Sequence, residues 1–371
     1  MITIETNGAR VLFNPEGGHL DLVEFVVDGV TLRPMHRAHW RTGEHNDGVP
    51  ETVDAEAGIT LKSLAGDFFC APFAENDTGD GPYHGWPANG MWDLVGQHEP
   101  EGGGVTARFL LRNRVLGAQL FKEITLRPDH PVVYQTHRFV GGEGAISAGH
   151  HPMVRVDGGA RLSFSAKAFG ATPATPLESD PARGRSALVY PQEFADLGAV
   201  KLASGGTVDL RSLPGPEASE DFLLLAEAPG HRLGWSAVLA PAGGFIYLGL
   251  RDPRVLPFTL LWLSNGGRDY APFSGRHKSV LGVEEACSFF IDGYRASIAP
   301  NTLTARGYPT ALALVPDGER AIHFAFGAIP APAGWREVTD VNANATAVTL
   351  TDRGGETRQM PFRGDFLGTM D

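Results

Sequence analysis

The chain has 371 residues, of which 42% are hydrophobic and 20% are charged, a composition typical of a globular protein with a substantial core. Its formal net charge of −12 argues against a nucleic-acid partner, because phosphate binding requires a concentrated surface of Lys and Arg. The two cysteines, Cys70 and Cys287, form no Cys-x-x-Cys pair, and none of the 13 histidines stands in a zinc-binding spacing. We therefore expect no metal and no cofactor.

The start of the chain gives an expectation about its compartment. Residues 1–7 lack the basic start and the apolar run of a signal peptide. No stretch approaches the ~18 consecutive apolar residues that a membrane-spanning helix needs. These features predict a cytoplasmic protein without a membrane partner.

Alternation of apolar and polar residues predicts strands along most of the chain. The first two predicted strands cover 9–13 and 22–27, and Asp28-Gly29 after them is typical of a hairpin turn. Further strands are predicted at 105–111, 119–126, 132–140, 222–226, 235–239, 245–250, 259–263, 280–284, 302–305, 310–314 and 321–326.

Helical periodicity is rare, and only residues 191–195 suggest a single helical turn. Because parallel sheets need a crossover connection, usually a helix, between successive strands, we expect an all-β fold of large antiparallel sheets. The Pro-, Ala- and Ser-rich stretch 171–185 is interpreted as a surface excursion and not as a linker. The whole chain, 1–371, is therefore predicted to form a single domain.

Several motifs in this pattern occur in a characteristic order. A loop rich in Pro and Gly carries His84-Gly85, and Trp92 opens the strand that follows it. The other motifs are a strand pair at 11–20, a Pro-Phe loop at 69–74, a strand pair at 121–133, a His-His-Pro segment at 150–152, a strand ending in Glu at 281–284 and a strand pair at 314–326. In this order, over nearly the whole chain, they resemble the aldose 1-epimerase (galactose mutarotase-like) superfamily. The resemblance implies a galactose mutarotase-like β-supersandwich.

The resemblance also implies a reaction, the interconversion of sugar anomers. A base removes the proton of the anomeric hydroxyl while an acid protonates the ring oxygen, and an imidazole and a carboxylate suit both roles near neutral pH. By position, His151 corresponds to the catalytic acid and Glu284 to the base. Adjacent strand residues point to opposite faces, so His150 competes with His151 for the site, and Glu285 should face away from Glu284. Read alone, these residues would equally suit an ordinary strand end or a solvated edge.

Further residues are candidates for substrate binding. His84 and Asn89 are expected to contact the sugar, and Trp86 offers a stacking face, although Trp86 could equally be a core residue. The Arg that the family carries after the Pro-Phe loop is missing, since residues 74–77 read Ala-Glu-Asn-Asp. Arg268 or His277, with Arg276 beside them, are the candidates to replace it.

Two other expectations remain open at this point. The family's sugar-binding Asp has no clear match, and Asp252 and Asp269 are both possible. The unusual cluster of His and aromatic residues at 36–40 is interpreted as a polar loop in preference to a lid.

The predicted function is an aldose 1-epimerase-like activity that interconverts the anomers of a free sugar or sugar derivative, a small-molecule carbohydrate, by acid–base catalysis. One alternative is a non-catalytic carbohydrate-binding protein, which the missing Arg would explain. The other is an isomerase or lyase acting on an acidic sugar, whose carboxylate the cluster around Arg268 would anchor.

Overall fold

The computed structural model describes residues 1–41, 58–79 and 81–368. In this part of the chain the regular structure is mostly strands, and the two α-helices, α1 (Ile59–Lys62) and α2 (Tyr294–Ile298), are about one turn long. Short 3₁₀ turns lie at Trp86–Ala88, Leu197–Ala199, Thr304–Arg306 and Gly364–Leu367. The predicted all-β class is confirmed. None of these helices is long and apolar enough to cross a membrane.

The strands are numbered in chain order. The first thirteen are β1 (Ile2–Glu5), β2 (Ala9–Asn14), β3 (His19–Val27), β4 (Val30–Leu32), β5 (Phe69–Cys70), β6 (Trp92–His98), β7 (Val105–Leu111), β8 (Gln119–Leu126), β9 (Val132–Ile146), β10 (Ala148–His150), β11 (Met153–Arg155), β12 (Ala160–Phe164) and β13 (Lys167–Ala171). The others are β14 (Glu193–Phe194), β15 (Val200–Lys201), β16 (Thr207–Val208), β17 (Ser212–Leu213), β18 (Ser219–Glu227), β19 (Gly234–Ala240), β20 (Phe245–Arg251), β21 (Phe258–Asn265), β22 (Val280–Cys287), β23 (Leu312–Pro330), β24 (Val338–Ala343), β25 (Ala347–Asp352) and β26 (Thr357–Pro361).

Two predicted elements were wrong. The helical turn expected at 191–195 is instead the short strand β14, in which Phe194 pairs with Gly170. The strand expected at 302–305 is a 3₁₀ turn. The side-chain oxygen Oδ1 of Asn301 accepts hydrogen bonds from the backbone N–H groups of Leu303 and Thr304. This side-chain bond satisfies the backbone locally and removes it from the sheet.

Two large antiparallel sheets form the body of the structure. The front sheet has the order β14-β13-β18-β21-β22-β10-β5, with β11 also pairing with β22. The back sheet has the order β17-β12-β19-β20-β23-β9-β8-β7-β6. Smaller antiparallel sheets are formed by β1 to β4, by β15 with β16, and by β24 to β26.

Three hydrophobic clusters hold these layers together. One lies between the front and back sheets and includes Leu261 and Val283 of the front sheet and Phe139 of the back sheet. A second covers the outer face of the front sheet, where Trp262 belongs to it. A third packs the sheet of β24 to β26 against the back sheet. The layers therefore bury both faces of the front sheet.

The central strands of the front sheet show this directly, since every residue of β18, β21 and β22 is buried. A polar side chain on these strands loses its hydration and must find a partner or a function. Glu220, Glu284 and Glu285 all lie here, and their partners define the candidate site.

Candidate active site

A cavity of about 500 Å³ lies on the outer face of the front sheet. It brings together five of the residues predicted from the sequence, namely His84, Asn89, His151, Arg268 and Glu284. The remaining lining residues come from α1 and its surroundings, the loop before His84, the 171–185 excursion, strands β18 and β21, and the loops after β21 and β22.

His151 and Glu284 meet at this cavity. Nε2 of His151 lies 3.1 Å from Oε1 of Glu284, and both side chains are almost completely buried. Strand alternation separates each from its neighbour in sequence. Glu285 points into the space between the sheets, where its carboxylate lies 2.9 Å from the Arg251 guanidinium.

The two members of the pair are shifted in opposite directions by the same cause. Burial raises the pKa of the Glu284 carboxyl well above its usual value. Burial also lowers the pKa of the His151 imidazole to about 4. Loss of hydration disfavours every charged form, so burial favours the uncharged pair, with the proton on Glu284. The pair therefore has one proton to donate, on the Glu284 carboxyl, and one nitrogen that can accept a proton, on the His151 imidazole.

Gly282 makes room for the Glu284 carboxyl. It precedes Glu284 by two residues on β22 and therefore lies on the same face of the strand. A Cβ at position 282 would lie 2.7 Å from Oε1 of Glu284 and 2.9 Å from Cβ of Trp262. Any larger residue at 282 would displace both the Glu284 carboxyl and the Trp262 side chain.

Asp67, which the sequence did not single out, holds the backbone of His151. Its Oδ1 accepts the His151 backbone N–H at 3.0 Å, and its Oδ2 accepts the Gln135 side-chain amide at 2.6 Å. The His150 Nδ1 lies 3.2 Å from the same Oδ2. The only signal in the sequence was a charged residue directly before the aromatic pair Phe68-Phe69, at the start of β5.

Phe68 fixes the plane of the imidazole. Its ring stacks on His151 with centroids 4.5 Å apart and an interplanar angle of 21°. The imidazole of His19 also stacks on the Phe68 ring, with ring centroids 4.5 Å apart. The catalytic candidate is thus held by its backbone through Asp67 and by its ring through Phe68.

His84 enters the cavity from a strained loop. It adopts a left-handed conformation with φ of 62°, followed by Gly85 with φ of 71°. A Cβ at position 85 would lie 2.1 Å from the Ala71 carbonyl oxygen, so the loop can approach β5 only with glycine there. Such strained residues cluster at functional sites.

The hydrogen bonds of His84 define its tautomer. Its Nδ1 accepts the Ala74 backbone N–H at 3.1 Å, and burial lowers its pKa well below the usual value. The neutral imidazole therefore carries its proton on Nε2 and can donate it to a ligand oxygen.

Asn89 lines the cavity, but its amide is used by the protein. Its Oδ1 accepts the Thr60 N–H at 3.1 Å, and its Nδ2 donates to the carbonyls of Tyr83 at 2.8 Å and Gly85 at 2.9 Å. These bonds join α1 to the His84 loop. Asn89 therefore shapes the cavity more directly than it can bind a ligand.

Arg268 also lines the cavity, and the buried carboxyl group of Glu220 lies beside its guanidinium. Its guanidinium lies 3.4 Å from the buried Glu220 carboxylate and 4.7 Å from the centre of the Phe273 ring. Glu220 in turn accepts hydrogen bonds from Trp262 Nε1 and Ser264. Burial raises the pKa of Glu220, and the charge of Arg268 opposes this shift.

Three residues predicted to bind substrate, Trp86, His150 and His277, are not among the described residues that line the cavity. Trp86 packs against the core between the large sheets. His150 is buried between those sheets beside Asp67. His277 stacks on Trp262 with centroids 5.3 Å apart and contacts Ser264 at 2.7 Å. Strand alternation places His150 on the face of the front sheet opposite the cavity, and ring stacking holds His277 against the Trp262 indole.

Other open expectations are settled by side-chain partners. Asp252 and Asp269 pair with Arg254 and Arg185 away from the cavity. The cluster at 36–40 is not a polar loop, since Trp40 is buried and donates its indole N–H to the Leu61 carbonyl at 2.8 Å.

A metal site is not apparent in the described residues. Within 1–41, 58–79 and 81–368, no group of three or more His, Cys, Asp or Glu side chains is arranged to hold a metal ion.

Comparison with known proteins supplies information at the level of structure. No protein-family model and no curated protein sequence matches the chain. The structure is similar to that of a candidate aldose 1-epimerase from Escherichia coli K12, with a TM-score of 0.56 and 14% identity over 88% of this chain and 98% of that one. It is also similar to a galactose mutarotase-related enzyme from Lactobacillus acidophilus, with a TM-score of 0.52 and 13% identity over 90% and 98% of the two chains.

A third similar structure comes from Klebsiella pneumoniae. This candidate aldose 1-epimerase has a TM-score of 0.55 and 14% identity, over 89% of this chain and 79% of that chain. At such low identity the likeness concerns the fold. Over most of its length, the chain therefore has the galactose mutarotase-like fold that the order of its sequence motifs predicted.

Proposed function

We propose that this protein is an aldose 1-epimerase-like enzyme that interconverts the anomers of a reducing sugar by acid–base catalysis. The observation that carries the proposal is the contact of 3.1 Å between His151 and Glu284 at a cavity on this fold. The similar structures named for aldose 1-epimerase and galactose mutarotase give the same direction.

The chemistry needs one group that accepts a proton and one that donates a proton. Ring opening removes the proton of the anomeric hydroxyl and delivers a proton to the ring oxygen, while the bond between C1 and the ring oxygen breaks and the C1–O1 bond becomes the double bond of the aldehyde. The open-chain aldehyde then rotates about C1–C2, and closure runs the two transfers in reverse. A pair that shares one proton can serve both halves, with Glu284 as base and His151 as acid when the proton has moved to the imidazole.

His84 completes the polar end of the cavity. Its Nε2–H can donate to a sugar oxygen, because Nδ1 is already bonded to Ala74. Its ring lies 5.3 Å from that of His151, centre to centre. A donor at this distance from the acid–base pair is suited to holding the reacting ring.

The two alternatives have weaker support. An acidic sugar would require a free positive charge, whereas Arg268 lies against Glu220. Binding a sugar without catalysis would not require the buried Glu284 carboxyl, whose only described ion-pair partner is the His151 imidazole. Buried acid–base pairs with shifted pKa values are more typical of catalysis.

The decisive experiment is anomer-exchange NMR on a panel of reducing sugars with wild type, Glu284→Gln and His151→Gln. We expect wild type to accelerate exchange and each variant to lose about 10²- to 10⁴-fold, which is what a positioned acid or base contributes. Glu319→Gln, at a surface ion pair with Arg138, is the matched carboxylate control and should keep full activity.

Three outcomes would contradict the proposal. Full activity in Glu284→Gln would remove the assigned base. Sugar binding with exchange at the background rate would favour the binding protein, and consumption of a uronate in the same panel would favour the acidic-sugar enzyme.

A further inference from the structure

The cavity is more apolar than a site for a simple sugar needs to be. Six apolar side chains, which we call the apolar wall, line it beyond the acid–base pair: Leu61, Leu64, Leu177, Phe222, Phe273 and Ile291. They belong to separate segments of the chain, from α1 to the loop after β22. The wall is therefore a product of the tertiary fold and not of one hydrophobic stretch.

The wall is firmly held. Leu64, Phe222 and Phe273 are buried members of the hydrophobic cluster on the outer face of the front sheet. Leu61, Leu177 and Ile291 are partly buried and pack against that cluster. Side chains supported in this way keep their positions when a ligand enters, and they offer it a preformed apolar surface.

Several of the polar groups that share the cavity contact other protein groups, and the side chains of Tyr83 and Tyr270 line it as well. Thr60 donates its hydroxyl to the Ala88 carbonyl at 2.9 Å. The Asn89 amide holds the His84 loop, and Arg268 pairs with Glu220. A hydroxyl placed against the apolar wall would lose its bonds to water without replacement, which is unfavourable.

The volume of the cavity also favours a ligand larger than a simple sugar. The volume of about 500 Å³ falls within the range of roughly 300–1,000 Å³ that is usual for pockets holding drug-sized ligands. One pyranose ring at His84, His151 and Glu284 leaves space toward the wall. That space is suited to a group without hydroxyls.

We infer that the substrate is a reducing sugar that carries an apolar substituent, such as an acyl or alkyl group, on a carbon other than C1. The restriction to other carbons follows from the reaction, because C1 must keep a free hydroxyl. This inference rests on the proposed function and specifies its substrate class. The polar end of the cavity takes the ring, and the apolar wall takes the substituent.

The test compares D-glucose, D-galactose, their 6-deoxy forms and their 6-O-butanoyl esters in anomer-exchange NMR. We expect kcat/KM to rise by about 10-fold or more from the parent sugar to the ester, since each methylene in an apolar pocket is worth at least this much. Leu177→Gln, a change in the 171–185 excursion, should lower the ratio of kcat/KM for the ester to kcat/KM for the parent sugar by about 10-fold. Ile298→Ala, an exposed apolar residue that does not line the cavity, is the control.

The outcomes separate the two levels of the proposal. Equal or higher kcat/KM for the parent sugars would overturn the apolar-substituent inference and leave the proposed function standing. If the anomer exchange of no sugar is accelerated, the proposed function fails. Ligand-observed NMR on the same compounds then tests whether the apolar wall binds the substituent. Tighter binding of the esters, weakened by Leu177→Gln, would support it; equal binding or none would overturn it.

Discussion

Gly282→Ala should separate the geometry of the acid–base pair from its chemistry, because the substitution leaves both His151 and Glu284 in place. The new Cβ would lie 2.7 Å from Oε1 of Glu284 and 2.9 Å from Cβ of Trp262. Comfortable contacts need about 3.5 Å, so the Glu284 carboxyl must move by roughly 0.8 Å and the contact with Trp262 Cβ must widen by roughly 0.6 Å. The Trp262 backbone is fixed in the centre of the front sheet by pairing with β18 and β22. The carboxyl of Glu284, at the end of its side chain, is therefore the group that moves further.

The size of the effect follows from this displacement. A misplacement of about 1 Å at a reacting group can cost about 10²-fold in rate. Overpacking of a buried site costs typically about 1–3 kcal/mol of stability. We expect Gly282→Ala to remain folded while its exchange rate falls by about 10- to 100-fold, with most of the loss in kcat.

The measurement combines exchange NMR with urea unfolding monitored by tryptophan fluorescence. Gly96→Ala is the matched control, because Gly96 is also a strand glycine and a Cβ there meets no atom within 4 Å. Wild-type rate and stability in Gly282→Ala would show that the Glu284 carboxyl is not confined as described. Loss of rate without loss of fold would support the confinement.

Two further predictions concern the buried polar groups. Asp67→Asn should lower stability by about 2–3 kcal/mol in urea unfolding, because the amide nitrogen that replaces one buried carboxylate oxygen cannot accept the hydrogen bond from Gln135. It should also lower kcat more than it raises KM, because the remaining neutral oxygen holds the His151 backbone N–H less strongly than a carboxylate does; unchanged values of both would refute the anchoring role. Burial lowers the pKa of His19 and of His36 to about 3, so between pH 6.5 and 4 the unfolded chain binds protons that the folded chain does not. Stability should therefore fall with decreasing pH by about 1.4 kcal/mol per pH unit for each such histidine, partly offset by Glu284, whose raised pKa acts with the opposite sign. Urea midpoints that stay constant from pH 7 to 5 would contradict this.

Local pattern was enough to predict much of the fold. The strands predicted at 105–111 and 119–126 have the same bounds as β7 and β8, because their side chains alternate between core and surface. The elements that failed, at 191–195 and 302–305, are short. There a pairing partner or one Asn side chain outweighs the propensity of a few residues.

The candidate site was predictable only in part, for a physical reason. Glu284 and His151 belong to motifs whose order is visible in the sequence. Asp67 contacts His151 across 84 positions of the chain, and nothing local to either residue indicates that contact. Likewise, His277 precedes β22 in sequence but stacks on Trp262 of β21, a neighbour that only the sheet order reveals.

The two adjacent carboxylates of β22 give the strand a property that neither residue has alone. Glu284 faces the cavity, and Glu285 faces Arg251 between the sheets. A slip of β22 by one residue that brings Glu284 into the position of Glu285 would carry Glu285 one residue further along, past the position beside His151. The cation that neutralises one carboxylate would then meet the other, and the imidazole would lose its partner. Insertions and deletions near β22 are thus a route by which this scaffold could lose catalysis while every candidate catalytic residue is still present.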